Sequence, residues 1–205
     1  MSDDFSPIAQ ELIKAGRFID SRGWVPATSG NFSARLADGD LAITVSGRHK
    51  GRLTPADIMR VDAEGNSLDG RKPSAEILLH TALYRRFPAV GAVLHPHSPG
   101  SVLLSRLASG GRIQLRNYEL LKALSGIDTP ENPVTLPVFP NDQDIARLAR
   151  RVDLWMDEHG DTPAYLIDSH GFYTWGSTVM DALRHVEALE LLFDIESRLH
   201  GARPR

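Results

Sequence analysis

The chain contains no cysteine. That absence excludes disulfides and thiolate metal ligands together, leaving histidine and carboxylate side chains as its metal-binding vocabulary. It has no excess of one charge: 23 basic and 26 acidic residues give a net charge of -3. Nothing therefore draws it to polyanions, and neither nucleic acid nor an anionic membrane surface is an expected partner. No apolar run is long enough to span a bilayer, and the acidic stretch Met1-Ser2-Asp3-Asp4-Phe5 carries no signal segment, so a cytoplasmic protein is expected. Repeats, linkers and low-complexity stretches are missing as well. With 205 residues, 41% of them hydrophobic, the expectation is one domain over 1–205 with ample material for a core.

What is present is an alternation of short strands and amphipathic helices. Ser6-Pro7 followed by Ile8, Leu12, Ile13 and Ile19 predicts a helix ending near Asp20. Strand-like stretches at 31–36 and 41–45, joined by Ala37-Asp38-Gly39-Asp40, predict a hairpin. Thr54-Pro55-Ala56-Asp57 reads as a single helical turn and 58–62 as a strand. A helix is expected from Ser74 to Pro88, then a strand reaching His95 and a helix opening at Ser98-Pro99. Beyond these come a strand at 134–139, a helix at 141–157, strands at 163–167 and 172–175, and a long last helix capped by Ser177. Strands with helices on both sides predict a layered α/β domain, and the hairpins a largely antiparallel sheet.

His95-Pro96-His97 closes the apolar run 89–94. In an extended segment residues two apart project to one side, so both imidazoles can reach one ion from a single strand end. The best third ligand is His170 in Asp168-Ser169-His170-Gly171, where another strand gives way to a turn. His49, His80, His159, His185 and His200 are assigned to surface or packing, and Trp24, Trp155 and Trp175 to packing.

Thr28-Ser29-Gly30-Asn31, Ser46-Gly47, Ser74-Ala75-Glu76, His95-Pro96-His97 and His170-Gly171 stand in an order and approximate spacing that resembles the class II aldolase family over nearly the whole chain. Blocks 116–122 and 170–176 look most like the family's dehydratases. The resemblance implies a three-layer α/β/α fold, one zinc ion per subunit, a small sugar-phosphate substrate and a homotetramer with active sites near subunit interfaces. It implies His95, His97 and His170 as zinc ligands, with Ser29, Gly30, Asn31, Ser46 and Gly47 lining a phosphate pocket; Ser74 and Lys122 join the expected substrate-binding set. Glu119 falls where the dehydratases carry their catalytic acid/base, and Glu76 where the aldolases carry theirs.

Three neutral imidazoles would leave zinc its full charge and an open position suited to polarising a carbonyl. Iron, cobalt, nickel or manganese could use the same nitrogens. Gly30 and Gly47 permit the unusual dihedrals a phosphate nest needs, and Lys50, Arg52 and Lys122 are candidate charge partners. The expected activity is removal of water from a ketose 1-phosphate. The alternatives are an aldolase or epimerase of the fuculose-phosphate or ribulose-phosphate type, and a non-catalytic scaffold of the adducin-head kind.

Overall fold

Turn residues after Leu36 fold β1 (Asn31–Arg35) back onto β2 (Leu41–Thr44), closed by Leu36 N–H donating to the Asp40 carbonyl and Gly39 N–H to that of Leu36. β3 (Ile58–Val61) lies beside β2, preceded by a 3-10 turn over Pro55–Asp57 where a helical turn was expected. The computed structural model describes residues 4–202; the first three residues of the acidic start lie outside the described residues. Five further strands complete an eight-stranded sheet: β4 (Ala92–His95), β5 (Arg112–Leu115), β6 (Val134–Phe139), β7 (Ala164–Ile167) and β8 (Gly171–Gly176). Their order is β3-β2-β1-β4-β8-β7-β6-β5.

β6 and β7 run parallel, and the other neighbouring pairs run antiparallel. The sheet is therefore mixed, a departure from the largely antiparallel one that the hairpins suggested. Its cause is α4 (Ile145–His159), a crossover that returns the chain to the same end of the sheet before β7 begins. β5 was not expected at all. It is a four-residue edge strand whose exposed Arg112 and Gln114 alternate with buried Ile113 and Leu115.

The helices divide between the two faces. α1 (Phe5–Ser21), α3 (Pro99–Leu107) and α5 (Val179–Ala202) bury Leu12, Leu104 and Leu189 against Phe32, Leu94 and Phe172. α2 (Ile77–Arg86) and α4 bury Leu79, Leu83 and Val152 against Ile43, Val93 and Tyr173. Leu94 and Phe172 thus face one core while their neighbours Val93 and Tyr173 face the other, as the two-residue strand period requires. Burying each such side chain contributes about 1.5–3 kcal/mol. Cover on both faces makes this an α/β/α arrangement and explains why the central strands read as continuous apolar runs.

Three helices start later than their residue patterns suggest, α5 by one residue, since Thr178 Oγ1 rather than Ser177 accepts from Asp181 N–H at 3.0 Å. Ser74 lies outside α2: its Oγ accepts from Glu76 N–H at 3.3 Å and its carbonyl from Ile77 N–H at 3.2 Å. Local serine bonds of this kind compete with helix, and they leave Glu76 at the helix entrance. α4 begins at Ile145 because Asp144 accepts from Arg147 N–H at 3.0 Å as its N-cap, with a tight turn from Pro140 to Asp142 before it. Among the described residues no helix is long and apolar enough to cross a membrane.

Candidate metal centre

The centre lies at one end of the middle strands, where β1 starts, β4 ends and the β7–β8 turn closes. Asn31 pairs with His95 across β1 and β4. His95 is fully buried, and its Nδ1–H donates to the Phe172 carbonyl at 2.8 Å, which turns Nε2 into the centre. His97 is tied by its N–H to the Trp24 carbonyl at 2.9 Å. Its Nε2 lies 2.8 Å from that of His95. His170 leaves a tight turn in which Ser169 takes a left-handed φ of 58°, and its Nδ1–H donates to Asn141 Oδ1 at 3.2 Å. Glu76 completes the group, with Oε2 3.3 Å from His95 Nε2 and Oε1 3.5 Å from His170 Nε2.

These four residues each offer one ligand atom, all within 4.8 Å of one another. Four ligands at about 2.0–2.1 Å around a tetrahedral cation stand roughly 3.3 Å apart. The separations of 2.8, 3.3 and 3.5 Å bracket that value. Two Nε2 atoms facing at 2.8 Å cannot both carry hydrogen, so a shared cation suits them. The bonds from His95 to Phe172 and from His170 to Asn141 supply the outer orientation that metal-binding imidazoles need. On donor chemistry and spacing, the residues fit a divalent ion.

Electrostatics agree. Burial lowers the His97 pKa to about 2 and lowers that of His170, leaving both rings neutral with lone pairs available. For Glu76 burial pulls upward, but the His95 and His170 rings and the Asn31 hydrogen bond outweigh it and hold the carboxyl well below its ordinary range.

Two glycines let the backbones converge here. A Cβ on Gly30, whose φ is +75°, would lie 2.6 Å from the His95 carbonyl. One on Gly171 would lie 2.3 Å from the Pro96 carbonyl and within 3.2 Å of both the His95 and His97 rings. Gly171→Ala is therefore expected to cost about 1–3 kcal/mol of stability as an overpacked site. It should also weaken metal binding, both readable from denaturant melts with and without zinc.

A cavity of about 330 Å³ runs from the cluster toward the β2–β3 connection. It brings together Ser29, Gly30, Asn31, Ser46, Gly47, Lys50, Ser74, Glu76, His97 and His170, all named from the sequence, and adds Thr44 and Asn141. Ser29 Oγ is buried without a partner, and so is free to bind an occupant. Lys50 is buried and donates from Nζ to the Thr28 carbonyl at 3.0 Å and the Arg48 carbonyl at 2.7 Å. An ammonium has three N–H groups, which leaves one for the cavity. Burial lowers its pKa to about 8.

Two expected residues lie elsewhere. Glu119 and Lys122 sit on a 3-10 turn over Glu119–Ala123, bonded to each other at 2.7 Å, with the Glu119 side chain 78% exposed. Lys122 is thus outside the cavity of its own chain, and Lys50 supplies the cation there. His80, assigned to packing, instead hydrogen-bonds through both ring nitrogens next to the centre. Its position four residues after Glu76, on the same helix face, was the available signal.

The sequence profile described as the class II aldolase and adducin N-terminal domain matches residues 10–197. The chain belongs to the class II aldolase family. Among relatives in that family, a protein of Methylococcus capsulatus named methylthioribulose-1-phosphate dehydratase is 68% identical over 98% of both chains. One of the same name from Pseudomonas aeruginosa is 54% identical over 97% of this chain and 98% of its own. Among solved structures, the L-fuculose-1-phosphate aldolase of Thermus thermophilus superposes with a TM-score of 0.77 at 25% identity, covering 98% of this chain and all of the other. YgbL of Escherichia coli gives 0.79 at 28% identity, covering 98% of this chain and 92% of its own. The class II aldolase fold of this chain thus extends across nearly its whole length.

Proposed function

We propose that this class II aldolase family member is a zinc-dependent, cytoplasmic, single-domain homotetramer that acts as a lyase of methionine salvage. It would remove water from 5-methylthioribulose 1-phosphate to give 2,3-diketo-5-methylthiopentyl 1-phosphate. The observation that carries the reading is the convergence of His95, His97, His170 and Glu76 at one end of a cavity that holds Ser29 and Lys50. The full-length likeness to proteins named for that dehydratase supports the substrate.

His95, His97 and His170 would hold the ion, with Glu76 as the fourth ligand until substrate arrives. The ion would supply a Lewis acid that polarises the ketose carbonyl and acidifies the adjacent C3–H. Ser29, Ser46, the backbone at Gly30 and Gly47, and Lys50 would bind the phosphate and so fix C3 and C4 relative to the cluster. Glu119, exposed on its own copy, would reach the site of a second copy in the tetramer. It would take the C3 proton and then donate it to the departing C4 hydroxyl, which leaves as water. The C3–H electron pair forms the C3–C4 double bond as the C4–O bond breaks, and the resulting enol becomes the diketone.

Lys50→Met is expected to raise KM about 10–100-fold with little change in kcat, since a hydrogen bond to a charged group contributes about 1.5–3 kcal/mol. Phosphate binding to the unsubstituted protein should weaken as pH rises past about 8, where Lys50 loses its proton. Between about 8 and the ordinary 10.5 the unfolded chain holds that proton and the folded one does not, so stability should rise with pH in that window. Lys50→Met should abolish both dependences in inorganic phosphate titrations and thermal melts.

The reaction is tested by following 5-methylthioribulose 1-phosphate with the zinc-loaded protein by NMR. Formation of the diketone with an intact carbon chain is expected. Glu76 beside the imidazoles also suits an aldolase, and cleavage between C3 and C4 would establish that reading instead.

A further inference from the structure

Glu76 is approached from inside the protein by a row of buried polar side chains. Two come from β1, Asn31 and Ser33, two residues apart on one face; two come from α2, His80 and Tyr84, at four and eight residues beyond Glu76. They interleave as Glu76–Asn31–His80–Ser33–Tyr84. We infer that this row is a one-way hydrogen-bond relay that holds Glu76 in its ligating orientation, with His80 as the positioning residue that fixes the Asn31 amide. The inference rests on the reading of Glu76 as a metal ligand.

The chemistry allows one direction along the row. An ionised carboxylate only accepts, so Asn31 presents Nδ2–H to Glu76 Oε2, at 2.7 Å. Asn31 Oδ1 then faces His80 Nε2 in a close contact and requires a donor there. His80 is fully buried, and burial lowers its pKa to about 3, so the ring is neutral and carries one hydrogen, on Nε2. Its bare Nδ1 accepts from Ser33 O–H at 2.7 Å. With the Ser33 hydrogen committed, the 2.9 Å contact to Tyr84 must be donated by the phenol. Tyr84 is held in turn by Arg35, whose guanidinium lies 4.9 Å from its ring centre and donates to its carbonyl at 2.7 Å.

Every link is matched, and reversing one would reverse all. If the Asn31 amide turned over, its oxygen would meet the Glu76 carboxylate and its nitrogen the Nε2–H of His80, two mismatches among buried side chains. Buried polar rows are costly when partly satisfied. A row that is fully satisfied and ends on a ligating carboxylate acts as outer-shell support for the centre.

The first test uses metal-free protein labelled with ¹⁵N-histidine, with the His80 ring assigned through its correlations to its own backbone. A single Nε2–H tautomer that does not titrate between about pH 5 and 9 is expected; an Nδ1–H ring, a tautomer mixture or a titrating ring would overturn the relay. The second test titrates cobalt(II) against a competing chelator. His80→Phe should weaken cobalt binding about 10–100-fold, the range for lost outer-shell support, with the far-UV spectrum unchanged. Cobalt affinity equal to that of the unsubstituted protein would contradict the proposal, and should His80→Phe not fold, the tautomer of the unsubstituted protein decides. Failure to dehydrate methylthioribulose phosphate would count against the proposed reaction while leaving both readouts intact.

Discussion

His97→Ala is expected to abolish stable metal binding and nearly all turnover while leaving the fold in place. His97 is the informative ligand to remove because His95 is also a packing residue: it is fully buried, stacks 4.0 Å from Tyr173 and satisfies the Phe172 carbonyl. Loss of His95 would mix a core defect with a lost ligand. His97 lines the cavity and is anchored through its main chain at Trp24, a bond that alanine keeps. Metal affinity should fall by more than the about 10–100-fold seen for outer-shell changes. Loss of several kcal/mol of charge stabilisation corresponds to about 10³-fold or more in kcat/KM. Metal content after dialysis, initial rates and a far-UV spectrum separate these effects, and a variant that keeps its zinc would remove His97 from the ligand set.

Glu119→Gln should produce the opposite split: full metal content, near-normal KM and kcat reduced about 10²–10⁴-fold, the contribution of a positioned acid/base. The side chain is exposed and accepts from Lys122, a bond that glutamine can keep, so its replacement should leave the melting temperature unchanged. Mixing tests its placement. If each site combines a Glu119 from one copy with histidines from another, then inactive Glu119→Gln and His97→Ala proteins that exchange subunits in equal amounts should regain about a quarter of native activity. No regain despite demonstrated exchange would place Glu119 and the histidines on the same chain or outside the reaction.

The legible parts of this fold were those with strong local signals. Ser98-Pro99 opens α3, the 36–40 turn closes the first hairpin, and β6 keeps its 134–139 span. Their cues lie within a few residues, where capping, turn chemistry and periodicity act. The parallel β6–β7 pair depends on how α4 packs, and β5 is stabilised by its edge position against β6; neither is a local property. The site divides similarly. The His-x-His pair follows from strand geometry, whereas the meeting of His170 from the β7–β8 turn with Glu76 from the α2 entrance is a product of the fold that no local pattern carries. Lys50 stood as one of three candidate charge partners and His80 was assigned to packing, because the roles of both arise from burial. A lysine near a glycine-rich turn and a histidine on an apolar helix face look ordinary until the cavity beside one and the Asn31–Ser33 pair beside the other are in place.

The most direct measurement is anomalous diffraction at the zinc edge from crystals of the protein loaded with one equivalent of zinc. One strong peak per chain is expected, within bonding distance of the Nε2 atoms of His95, His97 and His170 and adjacent to the Glu76 carboxylate. A protein that takes up no zinc, or a peak at any other residues, would contradict the account at its centre.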